Sequence, residues 1–316
     1  MTKDPFITSE QDAAGSRPVS RSPTARSLLV RAPAKINLTL DVLGRRPDGY
    51  HALRSVMLTL ALHDTLELRK AEDLSLSCDE PSLAGENNLV LRAARLLRET
   101  SGHRGGAHLF LGKAIPVDAG LGGGSSDAAA ALLGLNQLWD LGLSREHLAE
   151  LGARLGSDVP FFFYAPAALV EGRGEVVTPL KALPPAHVIL LRPPMGVSTA
   201  RIFASLGPQR YTDGSATDEL LAALHDGLPA GRWPLSNGLQ ATVMDLYPDV
   251  DGAARRLREA GAGDVCMTGS GSTVFAIFED ATEARQVYER VRNAPGRAIL
   301  TSTDPRSRGQ VWETPH

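Results

Sequence analysis

The sequence has 316 residues, of which 43% are hydrophobic and 22% are charged, a balance that is ordinary for a globular protein with a substantial core. Its formal net charge of −3 argues against a nucleic-acid-binding protein, because there is no basic excess to meet a phosphate backbone. The two cysteines, Cys78 and Cys266, lack the spacing of a zinc site, and no apolar run approaches the length of a membrane span. We therefore expect a cytoplasmic protein of two domains or one large domain, with neither a nucleic-acid nor a membrane partner.

The first 25 residues are rich in Ser, Thr, Arg, Pro and Ala and show no hydrophobic periodicity. A transit peptide is the alternative, but such peptides avoid acidic residues, and Asp4, Glu10 and Asp12 are present. We predict a disordered extension over residues 1–25.

Residues 27–43 contain two strand-like runs that are separated at Pro33. Lys35 and Asn37 are two residues apart, so their side chains lie on one face of the second predicted strand. A lysine in such a position is usually an exposed surface residue, and this is the alternative to a functional role.

A turn signal, Pro-Asp-Gly at 47–49, precedes Tyr50 and His51 at the start of the next predicted strand. Taken alone, these two rings would be a packed aromatic and a surface imidazole. The strand-like pattern continues through residues 53–68, with His63 and Asp64 expected at a turn.

A glycine-rich stretch between a predicted strand and a predicted helix is the strongest local signal in the chain. The strand over 107–115 is followed by Gly120, Gly122, Gly123 and Gly124, and then by Ser125, Ser126 and Asp127. Glycine permits positive φ and close approach of backbone N–H groups, and a phosphate binds well at the positive end of a helix. The stretch is neither a Walker A loop nor a Gly-x-Gly-x-x-Gly loop. The alternative is a tight turn in which Ser125, Ser126 or Asp127 caps the helix.

The remaining predicted elements are mainly amphipathic helices. Apolar spacing predicts helices over 89–98 with an asparagine cap, 145–155, 219–225, 250–260 and 283–292, the last capped by Asp280 or Thr282. Pro160 and the phenylalanines after it predict extended chain, and Asp158 just before them could be a simple turn residue. Residues 207–234 are polar and weakly patterned and predict a flexible connection.

Three segments resemble the motifs of the GHMP kinases, the family of galactokinase, homoserine kinase, mevalonate kinase and phosphomevalonate kinase. The segments are Pro-Ala-Lys-Ile-Asn-Leu at 33–38, the string from Pro116 through the glycines to Ala129, and Thr-Gly-Ser-Gly-Ser at 268–272. They occur in the family's order, and the resemblance covers residues 32 to about 292. The sequence is therefore identified as a member of this kinase family.

The resemblance implies an α+β fold with the two domains of the GHMP kinases. The N-terminal, ATP-binding domain would span residues 26–168 and resemble domain 2 of ribosomal protein S5. The C-terminal domain would span residues 169–316 and be ferredoxin-like, with the site in the cleft between the two.

The resemblance also implies roles for individual residues. Asp158 would be the general base and Lys35 would assist it. ATP, accompanied by Mg²⁺, would bind at the glycine loop through Pro116, Gly120, Leu121, Gly122, Gly123, Gly124, Ser125, Ser126 and Asp127. The substrate would be bound by Asn37, Tyr50, His51, Thr199, Phe203, Gly269, Ser270 and Gly271. No residue is marked as a metal ligand.

The element Arg-Pro-Asp-Gly-Tyr-His at 46–51 resembles one GHMP subfamily in particular, whose small-molecule substrate carries a cytidine diphosphate group. There Tyr50 and Phe203 would lie on opposite faces of the cytosine and His51 would hold the base edge. This implies ATP-dependent phosphorylation of the 2-hydroxyl of a methylerythritol derivative in the non-mevalonate isoprenoid pathway. The alternatives are another small-alcohol kinase of the mevalonate or homoserine type, and a non-catalytic homologue that senses a ligand.

One residue departs from the family pattern, because Asp118 stands where GHMP kinases often have glycine. A carboxylate that faced the phosphates would repel them. We therefore predict that Asp118 points to solvent.

Overall fold

The computed structural model describes residues 27–304 and 311–313, so the extension predicted over 1–25 lies outside the described residues. In chain order the strands are β1 (Ser27–Asn37), β2 (Thr39–Arg45), β3 (His51–Ala71), β4 (Leu74–Cys78), β5 (Gly106–Gly112), β6 (Ala167–Gly172), β7 (Val176–Pro179), β8 (His187–Arg192), β9 (Ser236–Asn237), β10 (Val265–Met267), β11 (Val274–Phe278), β12 (Arg297–Ser302) and β13 (Val311–Glu313). The α-helices are α1 (Leu89–Ser101), α2 (Gly123–Leu138), α3 (Arg145–Ala153), α4 (Phe161–Tyr164), α5 (Thr199–Ser205), α6 (Ser215–His225), α7 (Gln240–Leu246), α8 (Pro248–Glu259) and α9 (Ala281–Val291).

The first sheet is organised around β3, a strand of 21 residues. β3 pairs antiparallel with β1, β2, β5 and β6, and the sheet is completed by β4, β7, β9 and β13 on these neighbours. Apolar residues alternate along β3, and Val56, Leu58, Leu60, Leu66 and Leu68 are all buried. Residues 55–60 are buried without interruption, and Met57 and Leu58 belong to different hydrophobic cores, so the middle of β3 is covered on both faces.

β1 is a single strand of eleven residues, so the prediction of two strands separated at Pro33 is wrong. The register with β3 shifts between Pro33 and Lys35, which indicates a bulge. Proline has no N–H to donate to the ladder, and a bulge lets the pairing resume beyond it. Lys35 and Asn37 then lie buried in the middle of the molecule, so the exposed-lysine alternative is also wrong.

Helices α1, α2 and α3 cover one face of the first sheet and form a common core with it. α1 begins where predicted, and the side chain of Asn88 accepts a hydrogen bond from the Val90 N–H at 2.8 Å. α2 is rich in alanine and lies close to the sheet: a Cβ added to Gly134 would be 2.7 Å from Leu68 Cδ1. Small residues on α2 therefore bring the helix, and the glycine loop before it, close to β1 and β3.

The second sheet has four antiparallel strands in the order β10-β11-β8-β12. Helices α8 and α9 pack against it, and the order β8, α8, β10, β11, α9, β12 is the β-α-β-β-α-β arrangement of ferredoxin-like folds. The predicted α+β architecture with a ferredoxin-like C-terminal part is confirmed.

A third core lies between the two sheets and joins them. It contains β1 and β3 residues such as Ile36 and Leu58, and β8 and β11 residues such as Leu190 and Phe275. Trp233 is buried in the same core, so the prediction that residues 207–234 form a flexible connection is wrong. The segment contains α6 and packs at the seam between the sheets.

The boundary predicted between residues 168 and 169 falls inside β6. β6 and β7 both belong to the first sheet, and β8 is the first strand of the second. We propose that the division between the two parts of the chain lies between β7 and β8.

The helix ends also differ from the predictions in places. Pro160 does not begin extended chain, because the phenylalanines after it form the short helix α4, which buries Phe161, Phe162 and Phe163. Asp280 caps α9 by accepting a hydrogen bond from the Glu283 N–H at 2.8 Å, so one of the two predicted caps is confirmed. In the part of the chain that the structure describes, no helix has both the length and the apolarity needed to span a membrane.

Candidate active site

The glycine loop connects β5 to α2, as predicted, and its glycines adopt conformations that other residues rarely take. Gly120 and Gly122 have φ of 75° and 70°, in the left-handed region. α2 begins at Gly123 with Gly122 as its N-cap and without a side-chain cap, so capping by Ser125, Ser126 or Asp127 is wrong. The first N–H groups of a helix have no intrahelical acceptor and are thus available to a phosphate.

A second glycine loop, residues 268–271, lies directly against the first. A Cβ on Gly120 would be 2.4 Å from the carbonyl oxygen of Thr268, and a Cβ on Gly269 would be 3.0 Å from that of Gly120. Thr268 Oγ1 also donates to the Gly120 carbonyl oxygen at 3.3 Å. Because the two loops touch through their backbones, only glycine fits at the points of contact.

Lys35 and Asp158 meet beside these loops. Lys35 Nζ is 3.4 Å from Asp158 Oδ2, and the side chains are 3% and 32% exposed, respectively. Both the backbone and the side chain of Lys35 are held by hydrogen bonds. Its backbone N–H donates to the Leu121 carbonyl oxygen at 2.9 Å, and its side-chain Nζ donates to Asn37 Oδ1 at 2.7 Å. Gly122 leaves room for its aliphatic stem, because a Cβ there would be 2.8 Å from Lys35 Cγ.

Asn37 connects β1 to the second glycine loop. Its Oδ1 also accepts from the Gly269 N–H at 3.0 Å, and its Nδ2 donates to Ser55 Oγ at 2.8 Å. From the other side, Asn237 Nδ2 donates to the carbonyl oxygens of Met267 and Gly269 at 2.7 Å and 2.9 Å. Neither Ser55 nor Asn237 was predicted, and Asn237 had only its place in a short Ser-Asn-Gly string as a signal.

Lys35, Asn37, Ser55 and Asp158 line a cleft of about 810 Å³, a volume that includes its open mouth. Of the predicted site residues, the cleft is lined by Lys35, Asn37, Gly120, Gly122, Asp158, Thr199, Phe203, Gly269, Ser270 and Gly271. Thr199 Oγ1 and Ser270 Oγ are 2.6 Å apart, so they join α5 to the second glycine loop.

The other predicted site residues are not on the wall of this cleft: Pro116, Leu121, Gly123, Gly124, Ser125, Ser126, Asp127, Tyr50 and His51. The Leu121 side chain is buried in the core between the sheets, so the contribution of this residue to the loop is its backbone. Asp118 is exposed, as predicted, but it lies on the cleft wall rather than away from it. Its φ of 52° is in the region that favours glycine.

At the mouth of the cleft, aromatic rings lie beside Phe203, which belongs to the cleft wall. The His51 ring lies 5.0 Å from the Phe203 ring and 5.9 Å from the Tyr211 ring, centroid to centroid. Desolvation, aided by the charge of Arg45, lowers the pKa of His51 from its ordinary value, so the ring is neutral at pH 7. Tyr50 is 53% exposed and offers an open ring face.

A buried ionic cluster that was not predicted lies beneath the glycine loop. Lys113 Nζ is 2.5 Å from Asp64 Oδ2 and 2.8 Å from Asp127 Oδ2, and the two carboxylates are almost fully buried. Asp64 Oδ1 accepts from the N–H groups of Ala114 and Ile115 at 2.6 Å and 2.8 Å. Asp64 lies within β3 rather than at the expected turn, and its pairing with a residue 49 positions later has no local signal.

Two carboxylates share one ammonium group in this cluster. Burial and the second carboxylate, opposed by Lys113, raise the pKa of Asp127 to about 7. Desolvation acts to lower the pKa of Lys113, but its two carboxylate partners outweigh it and raise that pKa. The cluster therefore ties the start of α2 to β3 and to the chain just before the glycine loop.

Comparisons with known proteins agree with this geometry. Residues 88–165 match the family model for the GHMP kinases N-terminal domain, and residues 215–297 match the model for the GHMP kinases C-terminal domain. A 4-diphosphocytidyl-2-C-methyl-D-erythritol kinase of Pelotomaculum thermopropionicum is 46% identical over 276 residues, which are 86% of this chain and 96% of that protein. The kinase of the same name from Geobacillus kaustophilus is 42% identical over 84% of this chain and 93% of its own length.

Solved structures show the same similarity. A crystal structure of 4-(cytidine 5'-diphospho)-2C-methyl-D-erythritol kinase superposes with a TM-score of 0.76 at 36% identity, covering 87% of this chain and 98% of that one. Homoserine kinase from Cytophaga hutchinsonii superposes with a TM-score of 0.73 at 18% identity, covering 92% of this chain and 99% of that one. At that identity the likeness concerns the fold alone.

Proposed function

The chain belongs to the GHMP kinases, within the family of 4-diphosphocytidyl-2-C-methyl-D-erythritol kinases, and from this premise we propose how its residues carry out the reaction. The reaction is ATP-dependent phosphorylation of the 2-hydroxyl of 4-diphosphocytidyl-2-C-methyl-D-erythritol, a step of the non-mevalonate route to isoprenoid precursors. The single observation that carries the mechanism is the contact of Lys35 with Asp158 at 3.4 Å, in a cleft that both glycine loops line.

Asp158 is the general base in this proposal. Its carboxylate accepts the proton of the substrate hydroxyl as the oxygen attacks the γ-phosphorus of ATP. At 32% exposure the carboxylate can be reached from the cleft, whereas its partner Lys35 is 3% exposed and held by Asn37. The ammonium group holds the carboxylate of Asp158 in place and offsets negative charge on the group that is transferred.

The glycine loop is suited to the phosphates of ATP. At Gly120 and Gly122 there is no room for a Cβ, which would collide with neighbouring atoms. The next residues form the N-terminus of α2, whose free N–H groups can bind phosphate. Ser126 Oγ is buried and, among the described residues, has no hydrogen-bond partner, which fits a contact to phosphate or to its metal ion.

Mg²⁺ that accompanies ATP neutralises phosphate charge. Among residues 27–304, no group of three or more His, Cys, Asp and Glu side chains lies close enough to hold a metal ion.

The cytidine end of the substrate would bind at the mouth. The open face of Tyr50 can stack on cytosine, with Phe203 on the opposite face of the base. A neutral His51 has one donor and one acceptor nitrogen, which suits the mixed donor and acceptor edge of cytosine. Two free thiols, Cys78 and Cys266, support the proposal that the enzyme works in a reducing cytoplasm.

Release of ADP tests the reaction against its alternatives. We expect turnover with 4-diphosphocytidyl-2-C-methyl-D-erythritol and none above background with mevalonate or homoserine, and we expect CDP to compete with the first substrate. Turnover of mevalonate or homoserine instead would identify a sibling kinase. Binding of CDP without ADP release from any of the three would identify a ligand-sensing protein.

A further inference from the structure

The turn between β6 and β7 links the mouth of the cleft to the general base. Gly172 and Gly174 in this turn have φ of 75° and 127°. A Cβ on Gly174 would be 2.7 Å from the carbonyl oxygen of Ser157, the residue before Asp158. The turn therefore lies directly on the backbone that carries Asp158, and Gly174 itself lines the cleft.

Arg173 lies between these two glycines and reaches toward the mouth. Its N–H donates to Glu175 Oε2 at 2.7 Å, which fixes the backbone of the turn. Its guanidinium carbon is 5.2 Å from the centroid of the Tyr50 ring. One residue thus spans the distance between the aromatic platform and the segment that holds the general base.

The ionisable groups on the cleft wall do not by themselves favour an anionic ligand. Lys35, Asp118 and Asp158 are the ionisable residues on the cleft wall, so the wall carries one positive and two negative charges. Two other arginines near the rim are already paired: Arg46 with Asp48, and Arg54 with Glu171 and Asp218.

Arg173 differs from Arg46 and Arg54. Within residues 27–304 and 311–313 it makes no ion pair, although its charge contributes to a lowered pKa of the nearby Asp48 carboxyl. In that shift desolvation acts to raise the pKa, and the Tyr50 N–H, Arg46 and Arg173 lower it. Cation–π contact leaves the edge of a guanidinium, with its N–H donors, available to a ligand.

We propose that Arg173 is a specificity residue that binds the diphosphate of the cytidine-bearing substrate while its guanidinium group keeps its cation–π contact with Tyr50. This inference rests on the proposed function, because it assumes that cytosine binds at Tyr50 and the alcohol at Asp158. The diphosphate joins these two parts of the substrate, so it must pass the turn that connects them. A planar guanidinium is the side chain best suited to hold phosphate oxygens through paired hydrogen bonds.

Calorimetric titration of the whole enzyme with cytidine and with CDP distinguishes two roles of Arg173. In the first, Arg173 binds the diphosphate; in the second, it only holds the Tyr50 ring in position. In Arg173→Ala we expect the affinity for CDP to fall by roughly tenfold, while the affinity for cytidine changes little. Arg173→Lys keeps the charge but not the planar fork, and we expect it to recover part of the lost CDP affinity. Arg255→Ala, which removes an exposed arginine on α8, is the matched control for net charge and should bind both ligands as the native enzyme does.

Steady-state kinetics give the second measurement. Arg173→Ala should raise KM for 4-diphosphocytidyl-2-C-methyl-D-erythritol while kcat and KM for ATP stay close to native values. An equal loss of cytidine and CDP affinity, or no loss of either, would overturn the proposal. A native enzyme that binds neither ligand would instead refute the proposed function itself, and the two failures are thus distinguishable.

Discussion

The two ends of the cleft are built in different ways. We call the glycine loops at 120–124 and 268–271, with Lys35 and Asp158, the phosphate end, and we call Tyr50, His51, Phe203 and Arg173 the cytidine end. At the phosphate end, the glycine loops contact each other through their backbones, and buried hydrogen bonds of Asn37 hold Lys35 and Gly269. At the cytidine end, ring contacts dominate and Tyr50 is 53% exposed.

We infer from this difference that the phosphate end carries out phosphoryl transfer and that the cytidine end selects the substrate. Phosphoryl transfer needs reacting groups in accurate positions, which packed backbone provides. Recognition of a base needs flat surfaces and a few hydrogen bonds, which exposed side chains can supply without disturbing the fold. Substitutions at the phosphate end should therefore lower kcat or stability, and substitutions at the cytidine end should raise KM for one substrate.

Asp158→Asn should have the largest effect. The amide cannot take the hydroxyl proton, so we expect kcat to fall by roughly 10³-fold with little change in KM for either substrate. Asp118→Asn is the matched control, because it neutralises the other carboxylate on the cleft wall at a backbone conformation that asparagine tolerates. Equal losses of kcat in the two variants would contradict the role of Asp158.

Lys113→Met tests the buried cluster beneath the phosphate end. It leaves Asp64 and Asp127 buried without a cation, and we expect the free energy of unfolding to fall by about 3 kcal/mol or more. Asp127→Asn leaves one ammonium group with one carboxylate and should cost far less. Chemical denaturation at pH 8 measures both, and a larger loss in Asp127→Asn would refute this account of the cluster.

Gly120→Ala tests the contact between the two glycine loops. The added methyl group would meet the Thr268 carbonyl oxygen at 2.4 Å, so the loops must separate, and kcat/KM should fall by roughly 100-fold. Gly263→Ala is the control, because this glycine lies outside the cleft wall and a Cβ there would have no neighbouring atom within 4 Å. If both variants kept native activity, the loops would not need this close approach.

Tyr50→Ala should raise KM for the cytidine-bearing substrate by roughly tenfold, because one stacking surface is lost. Neither kcat nor KM for ATP should change, since the ring lies outside the phosphate end. Tyr50→Phe retains the ring and should behave like the native enzyme. A loss of kcat in Tyr50→Ala would contradict the assignment of substrate binding to the cytidine end and of phosphoryl transfer to the phosphate end.

The smallest expected effect is a dependence of KM on pH. The pKa of His51 is lowered below its ordinary value of 6.5, so the ring is neutral at pH 7 and gains a proton as the pH falls. Protonation removes the acceptor nitrogen, so KM for the cytidine-bearing substrate should rise as the buffer is made more acidic, while KM for ATP should not follow it. His51→Gln should remove the rise in KM for the cytidine-bearing substrate at acidic pH. If this variant kept the native dependence of KM on pH, His51 would not be the group that causes it.

Local signals in the sequence were sufficient for the glycine loop and for several helix ends. Glycines between a strand-like run and an alanine-rich run predicted the loop and the helix after it, and the pattern of Asn88 and Asp280 predicted helix caps. These features depend on φ preferences and on hydrogen bonds between residues a few positions apart. Motif resemblance supplied the pairing of Lys35 with Asp158, which no local rule could have given.

Other features depended on which distant segments meet. Pro33 was expected to end a strand, but pairing with β3 carries β1 past it through a bulge. The phenylalanines after Pro160 were expected to be extended, but burial of three rings in the first core stabilises a helical turn. In both places the free energy of packing outweighed a local preference.

By itself the sequence determined the elements whose causes lie within a few residues: the glycine loop, most of the helices and the chemistry of the side chains available. Only the tertiary structure decided which of these groups touch. It brought Gly120 against Thr268, 148 positions apart, Lys113 against Asp64, and Arg173 against Tyr50. The reason is physical, because strand register and the packing of two sheets fix those contacts, and neither depends on the spacing of residues along the chain.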